Sequence, residues 1–162
     1  MQSSTPTSPD AIVSQSAAAA ARADARRRSR LIGAAVAVPC WAVLAVAVWL
    51  TPDPLGYDTH TQLGLSPCSV PVTTGYPCPT CGMTTAFAWM GEGRPLNAFA
   101  VQPFGALLCV VTVLAAVLST VQTVTARPLL AAVPYRWWWT WVALGLFFGA
   151  WVYKILANGS WS

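Results

Sequence analysis

A chain of 162 residues is long enough for one domain, but 56% of it is hydrophobic and only 9% charged, where soluble domains carry about 25% charged residues. That composition excludes a water-soluble globular protein, because too few polar side chains remain to cover its surface. The formal charge of +4 is modest and uneven, with Arg22, Arg26, Arg27, Arg28 and Arg30 in one short cluster. No base-reading or aromatic element accompanies that cluster, which excludes a nucleic-acid binder and marks a membrane-flanking anchor.

Residues 1–30 begin as a Ser, Thr, Pro, Gln and Ala tail. With almost no large apolar groups, it cannot offset the entropy of ordering and is expected to be disordered up to about Ala21. The Ala17–Ala21 run is a candidate for helix next to the membrane. Leu31 to Leu50 is an uncharged run of about twenty residues, enough to span a bilayer as a helix, with Pro39 as a candidate kink point. It is longer than a signal-peptide core and no tidy cleavage site follows, so it reads as an uncleaved anchor. Cys40 is in mid-span behind Pro39, which argues against lipid attachment there.

Residues 51–102 differ in kind. Proline and glycine interrupt them throughout, and they hold Asp53, Asp58, His60, Glu92 and Arg94 with three of the five cysteines. No single span survives so many breaks. The best helical piece is 79–90, opened by Pro79 and closed by Gly91. About twelve residues rise only about 18 Å, too little to cross the bilayer, so this helix is expected to be interfacial or re-entrant. The second span is predicted over 103–124, with Gln102 as cap and Pro103 in the first turn. A loop over 125–136 carries Arg127 and Arg136, and the third span covers 137–156. Trp137, Trp138, Trp139 and Trp141 form an aromatic belt at one end, with Trp151, Tyr153 and Trp161 near the other.

The fold class is therefore an all-α membrane protein of three transmembrane helices plus one short helix. The arginines set its orientation. The positive-inside rule puts the N-terminus and the Arg127–Arg136 loop in the cytoplasm and the cysteine segment outside. Lys154 is a minor exception expected to snorkel to the far interface. Residues 157–162 are a short tail. Asn158-Gly159-Ser160 fits a glycosylation pattern that has meaning only in a eukaryotic secretory pathway.

Cys40 and Cys109 fall in predicted spans and read as small apolar packing residues. Cys68, Cys78 and Cys81 carry the chemical signal, and three chemistries fit their spacing. A C-x-x-C pair at a helix start makes a redox-active couple in which backbone amides lower the Cys78 pKa. C-P-x-C-G is also the turn of zinc knuckles; zinc wants four ligands, with Cys68 as third and His60 as a weak fourth. The third is a structural disulfide stapling a loop with little core of its own. Asp53, Asp58 and Glu92 read as surface acids. No paired carboxylates, nucleophile elbow or phosphate loop occur.

The stretch Thr74-Gly75-Tyr76-Pro77-Cys78-Pro79-Thr80-Cys81-Gly82-Met83-Thr84-Thr85-Ala86-Phe87 resembles domain-of-unknown-function family twenty-seven fifty-two, a group of small, mainly bacterial membrane proteins. Its pattern is an upstream Cys, then T-G-x-P-C-P-x-C-G-x-T-R-A, then a Gly, an Ala and an Asn-Pro pair leading into a span. Cys68, Gly93, Ala98 and Pro103 fit those positions. Thr80 stands where Gly is common, Thr85 where Arg is usual, and Gln102 where Asn is usual, so the charge at position 85 is gone. The resemblance implies a membrane protein without an assigned activity.

The functional expectation is a non-enzymatic accessory or interaction protein of the envelope. Its partners are the lipid bilayer and another membrane protein or second copy, paired through small residues such as Gly33, Ala34, Ala37, Gly145 and Gly149. The rival is a membrane thiol–disulfide oxidoreductase, with Cys78 as nucleophile, Cys81 as resolving thiol and electrons passing to a partner or quinone. A zinc-stabilised module is the third reading.

Overall fold

The computed structural model describes residues 9–53, 56, 58–69, 77–134 and 136–158. Thr74, Gly75 and Tyr76 of the motif, the first eight residues and residues 159–162 with Trp161 lie outside the described residues. Among those described there are five α-helices and no strand: α1 (Pro9–Trp49), α2 (Met83–Gly91), α3 (Pro95–Val101), α4 (Pro103–Thr125) and α5 (Trp138–Asn158). Short 3-10 turns at Thr59–Leu63 and Leu130–Ala132 join them. Three stretches are long and apolar enough to cross a membrane by length and composition: Ile12–Trp49, Pro103–Thr125 and Trp138–Leu156.

The tail departs from expectation. Helix α1 starts at Pro9, well inside the segment expected to be disordered, and runs without interruption through Pro39. The physical reason is local. Ala and Arg are among the best helix formers, and they dominate Ala17 to Arg30. The 41 residues of α1 measure about 60 Å, roughly twice the hydrocarbon thickness. Its arginine-bearing half therefore projects beyond the membrane as helix.

Helices α1 and α4 form the main seam. Gly33 makes it close: a Cβ there would lie 2.5 Å from Thr123 Oγ1 and 2.9 Å from the Ser119 carbonyl. Polar links close the same seam. Trp41 Nε1 donates to Thr120 Oγ1 at 3.0 Å. Buried Gln122 donates to the Ser29 carbonyl at 3.0 Å and accepts from the Leu130 amide at 2.9 Å, tying both helices to the loop that follows.

At the opposite end, α2 and α3 fill the space between the end of α1 and the start of α4. Phe87 is buried with Ala47 and Cys109, and Ala86 with Ala98 and Ala106. Alanines at these contacts let four helical segments meet closely. Cys109 is thus the packing residue expected of it, and Cys40 is partly buried. Helix α2 starts four residues later than the predicted 79–90, because Pro79 to Gly82 form a turn rather than a first helical turn. Gln102 is also used differently. It precedes α4 but makes no side-chain cap, and Pro103 opens the helix without one.

Helix α5 is the outlier. It meets α4 through an edge-to-face contact of Phe104 with Phe147, at 5.4 Å between ring centres. A cavity of about 250 Å³ lined by Pro103, Phe104, Gly145, Gly149 and Tyr153 separates much of the rest.

A three-cysteine turn over the ends of the spans

The sequence Cys78-Pro79-Thr80-Cys81-Gly82 folds as a tight turn because its amides find partners inside it. The Cys81 amide donates to the Cys78 carbonyl at 3.0 Å and the Met83 amide to the Thr80 carbonyl at 3.2 Å. Gly82 leaves the turn at φ 81°, the left-handed region that side chains avoid. Space demands glycine as well: a Cβ at Gly82 would lie 2.6 Å from the Gly56 carbonyl and 2.7 Å from Lys154 Nζ. Glycine here admits both the turn and its neighbours.

Cys68 reaches the turn along a second path. The carboxylate of Asp58 accepts from the Cys68 amide at 3.3 Å. Asp58 itself sits at φ 66°, at the start of the Thr59–Leu63 turn. That turn is anchored to α2 by the buried hydroxyl pair Thr59 and Thr85, 2.8 Å apart, and the Asp53 amide also donates to Thr59. Asp58 is therefore a positioning residue, not the plain surface acid of the sequence reading. Thr85, where the family pattern has Arg, is fully buried in an uncharged contact.

The result is convergence. The sulfurs of Cys68, Cys78 and Cys81 all lie within 4.8 Å of one another. All three are free thiols, so a disulfide, one of the three chemistries read from the spacing, is not seen among them. His60, the weak fourth ligand of the sequence reading, is not with them. Its Nε2 is 3.1 Å from the Ser66 carbonyl.

The thiols are unequal. Burial pushes the Cys78 thiol up. The Thr80 hydroxyl, 3.1 Å from its sulfur, the Thr80 amide, and the Cys81 thiol and amide together outweigh burial and hold it below its ordinary value. Cys81 is pushed up to about 12, first by burial and then by its bond to Cys68 and the charge of Cys78.

Three side chains hold the turn down, two from α5 and one from the residue that precedes α4. Gln102 Nε2 donates to the Pro79 carbonyl at 2.9 Å. Trp151 Nε1 donates to the Pro77 carbonyl at 2.8 Å. Lys154 Nζ donates to the Cys81 carbonyl at 2.6 Å. Lys154 is only 3% exposed, because its side chain ends on the thiol turn and not in open solvent. Trp151 likewise serves as an anchor. Sequence reasoning missed these three because Gln102 was read as a helix cap and Trp151 and Lys154 as interface residues of their own span. A lysine among the apolar residues of a span was the one signal that asked for a partner.

The helices and the turn define a small membrane protein with three apolar spans and a thiol cluster at their ends. Residues 68–116, from the first clustered cysteine into the middle of α4, match the sequence pattern of the family described as Protein of unknown function (DUF2752). The resemblance read from the motif is thereby upheld, and it fits an integral membrane protein of unknown function. No curated protein and no solved structure matches the chain.

Proposed function

We propose that the chain is a membrane accessory protein whose cysteine turn holds a soft metal ion, zinc first among them, on the thiolates of Cys68, Cys78 and Cys81. The observation that carries this reading is the mutual approach of three sulfurs to within 4.8 Å. Tetrahedral zinc with bonds of about 2.3 Å separates its sulfurs by about 3.8 Å. The cluster needs to close by about 1 Å at most. A disulfide needs about 2.05 Å and uses two sulfurs, leaving the third with no task. The Thr80 hydroxyl, 3.1 Å from the Cys78 sulfur, and then the neighbouring backbone amides support a thiolate there. Binding would release the thiol protons and leave the fourth position to a ligand from outside the cluster. The metal would stabilise a cap that has little core of its own. By the arginine distribution this cap lies outside, with the N-terminus in the cytoplasm.

Metal analysis tests the proposal directly. Protein purified in detergent under reducing conditions should carry about one zinc per chain, and Cys68→Ser, Cys78→Ser and Cys81→Ser should each lose it. Protein that is metal-free as purified under these conditions and takes up no added zinc would defeat it.

The second reading, a thiol–disulfide oxidoreductase, rests on the unequal thiols. Raising pH ionises Cys78 first, since its pKa is lowered while that of Cys81 is about 12. In chelator-stripped, reduced protein at about pH 8, iodoacetamide should therefore modify Cys78 well before Cys81. The oxidoreductase gains only if the stripped protein also exchanges disulfides rapidly and the protein as purified carries no metal.

A further inference from the structure

We propose that Lys154 is the counter-ion of the three-cysteine centre, so that the third span docks on the cap by charge as well as by hydrogen bonding. The inference rests on the metal reading above and deepens it. A buried lysine is rare unless paired. Lys154 is 3% exposed, and its Nζ meets a carbonyl, that of Cys81, at 2.6 Å. Among the described residues no carboxylate pairs with it. A neutral carbonyl satisfies one of three ammonium donors and cancels no charge. The group that can cancel it is the cysteine cluster. One divalent cation on three thiolates has a net charge of −1, by count. One ammonium brings the assembly to neutrality, the cheapest state for a site at the edge of hydrocarbon.

The geometry agrees on three points. The ammonium reaches the cluster on the backbone of one of its own cysteines. Gly82, immediately after Cys81, leaves the space that the ammonium occupies, since a Cβ there would lie 2.7 Å from Nζ. The other basic group of the cap is engaged elsewhere, with the Arg94 guanidinium 5.5 Å from the centre of the Trp89 ring. Lys154 is thus a positioning residue for the metal centre, acting on the ligands and not as one.

The test measures zinc affinity of the full chain in detergent, by competition with a chromophoric chelator, for wild type, Lys154→Gln, Lys154→Met and Trp151→Phe. Lys154→Gln keeps a donor for the Cys81 carbonyl and removes the charge. Trp151→Phe removes a hydrogen bond from the same span to the same loop and leaves charge alone. Both lysine variants should bind zinc about tenfold or more weakly, a typical cost for losing a partner of metal ligands. Trp151→Phe, which leaves the charge in place, should lose clearly less affinity than Lys154→Gln. Wild-type affinity in Lys154→Gln would overturn the counter-ion role and leave the metal centre standing, as would equal losses in Lys154→Gln and Trp151→Phe. A wild-type chain that binds no zinc would instead overturn the metal reading itself. If Lys154→Met does not fold, the glutamine variant decides.

Discussion

Between α1 and α4 the contact is a long seam, with Gly33 against the backbone of Ser119 and Thr123 and polar links through Trp41 and Gln122. Between α4 and α5 it is an edge contact of two rings beside a cavity of about 250 Å³. Yet α5 makes two of the three side-chain bonds that hold the cysteine turn. The first two spans are joined by shape and the third by polar anchors on the cap. Packing in lipid gains little from burying apolar groups, because lipid is already apolar. Close backbone approach fastens one pair. Where that approach is missing, hydrogen bonds at one end take its place.

The largest effect separating the two contacts should come from Gly33→Leu. Its side chain has no room against a backbone that cannot move aside, so stability should fall by about 3 kcal/mol or more. A thermal unfolding scan in detergent should show this, and an unchanged midpoint would mean that the seam is looser than described. Gln122→Ala comes next. It removes two hydrogen bonds, one to the Ser29 carbonyl and one from the half-buried Leu130 amide, at about 2 kcal/mol in the same scan. Trp151→Phe should cost about 1 kcal/mol, for one hydrogen bond. It should also raise protease or crosslinker access to α5 while leaving α1 and α4 protected. Equal exposure of all three spans would abolish the distinction. The smallest effect is expected from Gly145→Leu and Gly149→Leu. Nothing lies within 4 Å of either added Cβ, so each should shift stability by less than about 0.5 kcal/mol. A large loss at either would show that α5 packs through its small residues after all.

Much of the architecture was readable because lipid imposes it. The spans at Pro103 and Trp138 begin within a residue of where hydrophobic runs and proline rules put them. The beginning of α1 was misread because a polar, Ala-rich segment was judged by its lack of apolar groups. Its helix propensity, carried by Ala and Arg, decided instead. The cysteine trio was legible from spacing, but its attachments were not. Asp58, Thr59 and Gln102 hold the site through contacts whose partners lie far along the chain, and no periodicity encodes such pairs. Thr85 shows the same limit. It read as a missing arginine, whereas the structure gives it a hydroxyl partner in Thr59.

The unbroken continuation of α1 beyond the bilayer has a mechanical meaning. Arg22, Arg26 and Arg30 recur every four residues, so they form a ladder along one side of the rod, about 12 Å from bottom rung to top. Sinking the helix by one rung would pull a guanidinium toward hydrocarbon, at a few kcal/mol for each one that reaches the centre. In a bilayer the ladder would act as a depth stop, and because the helix is continuous it would also limit how far the thiol turn could shift along the membrane normal.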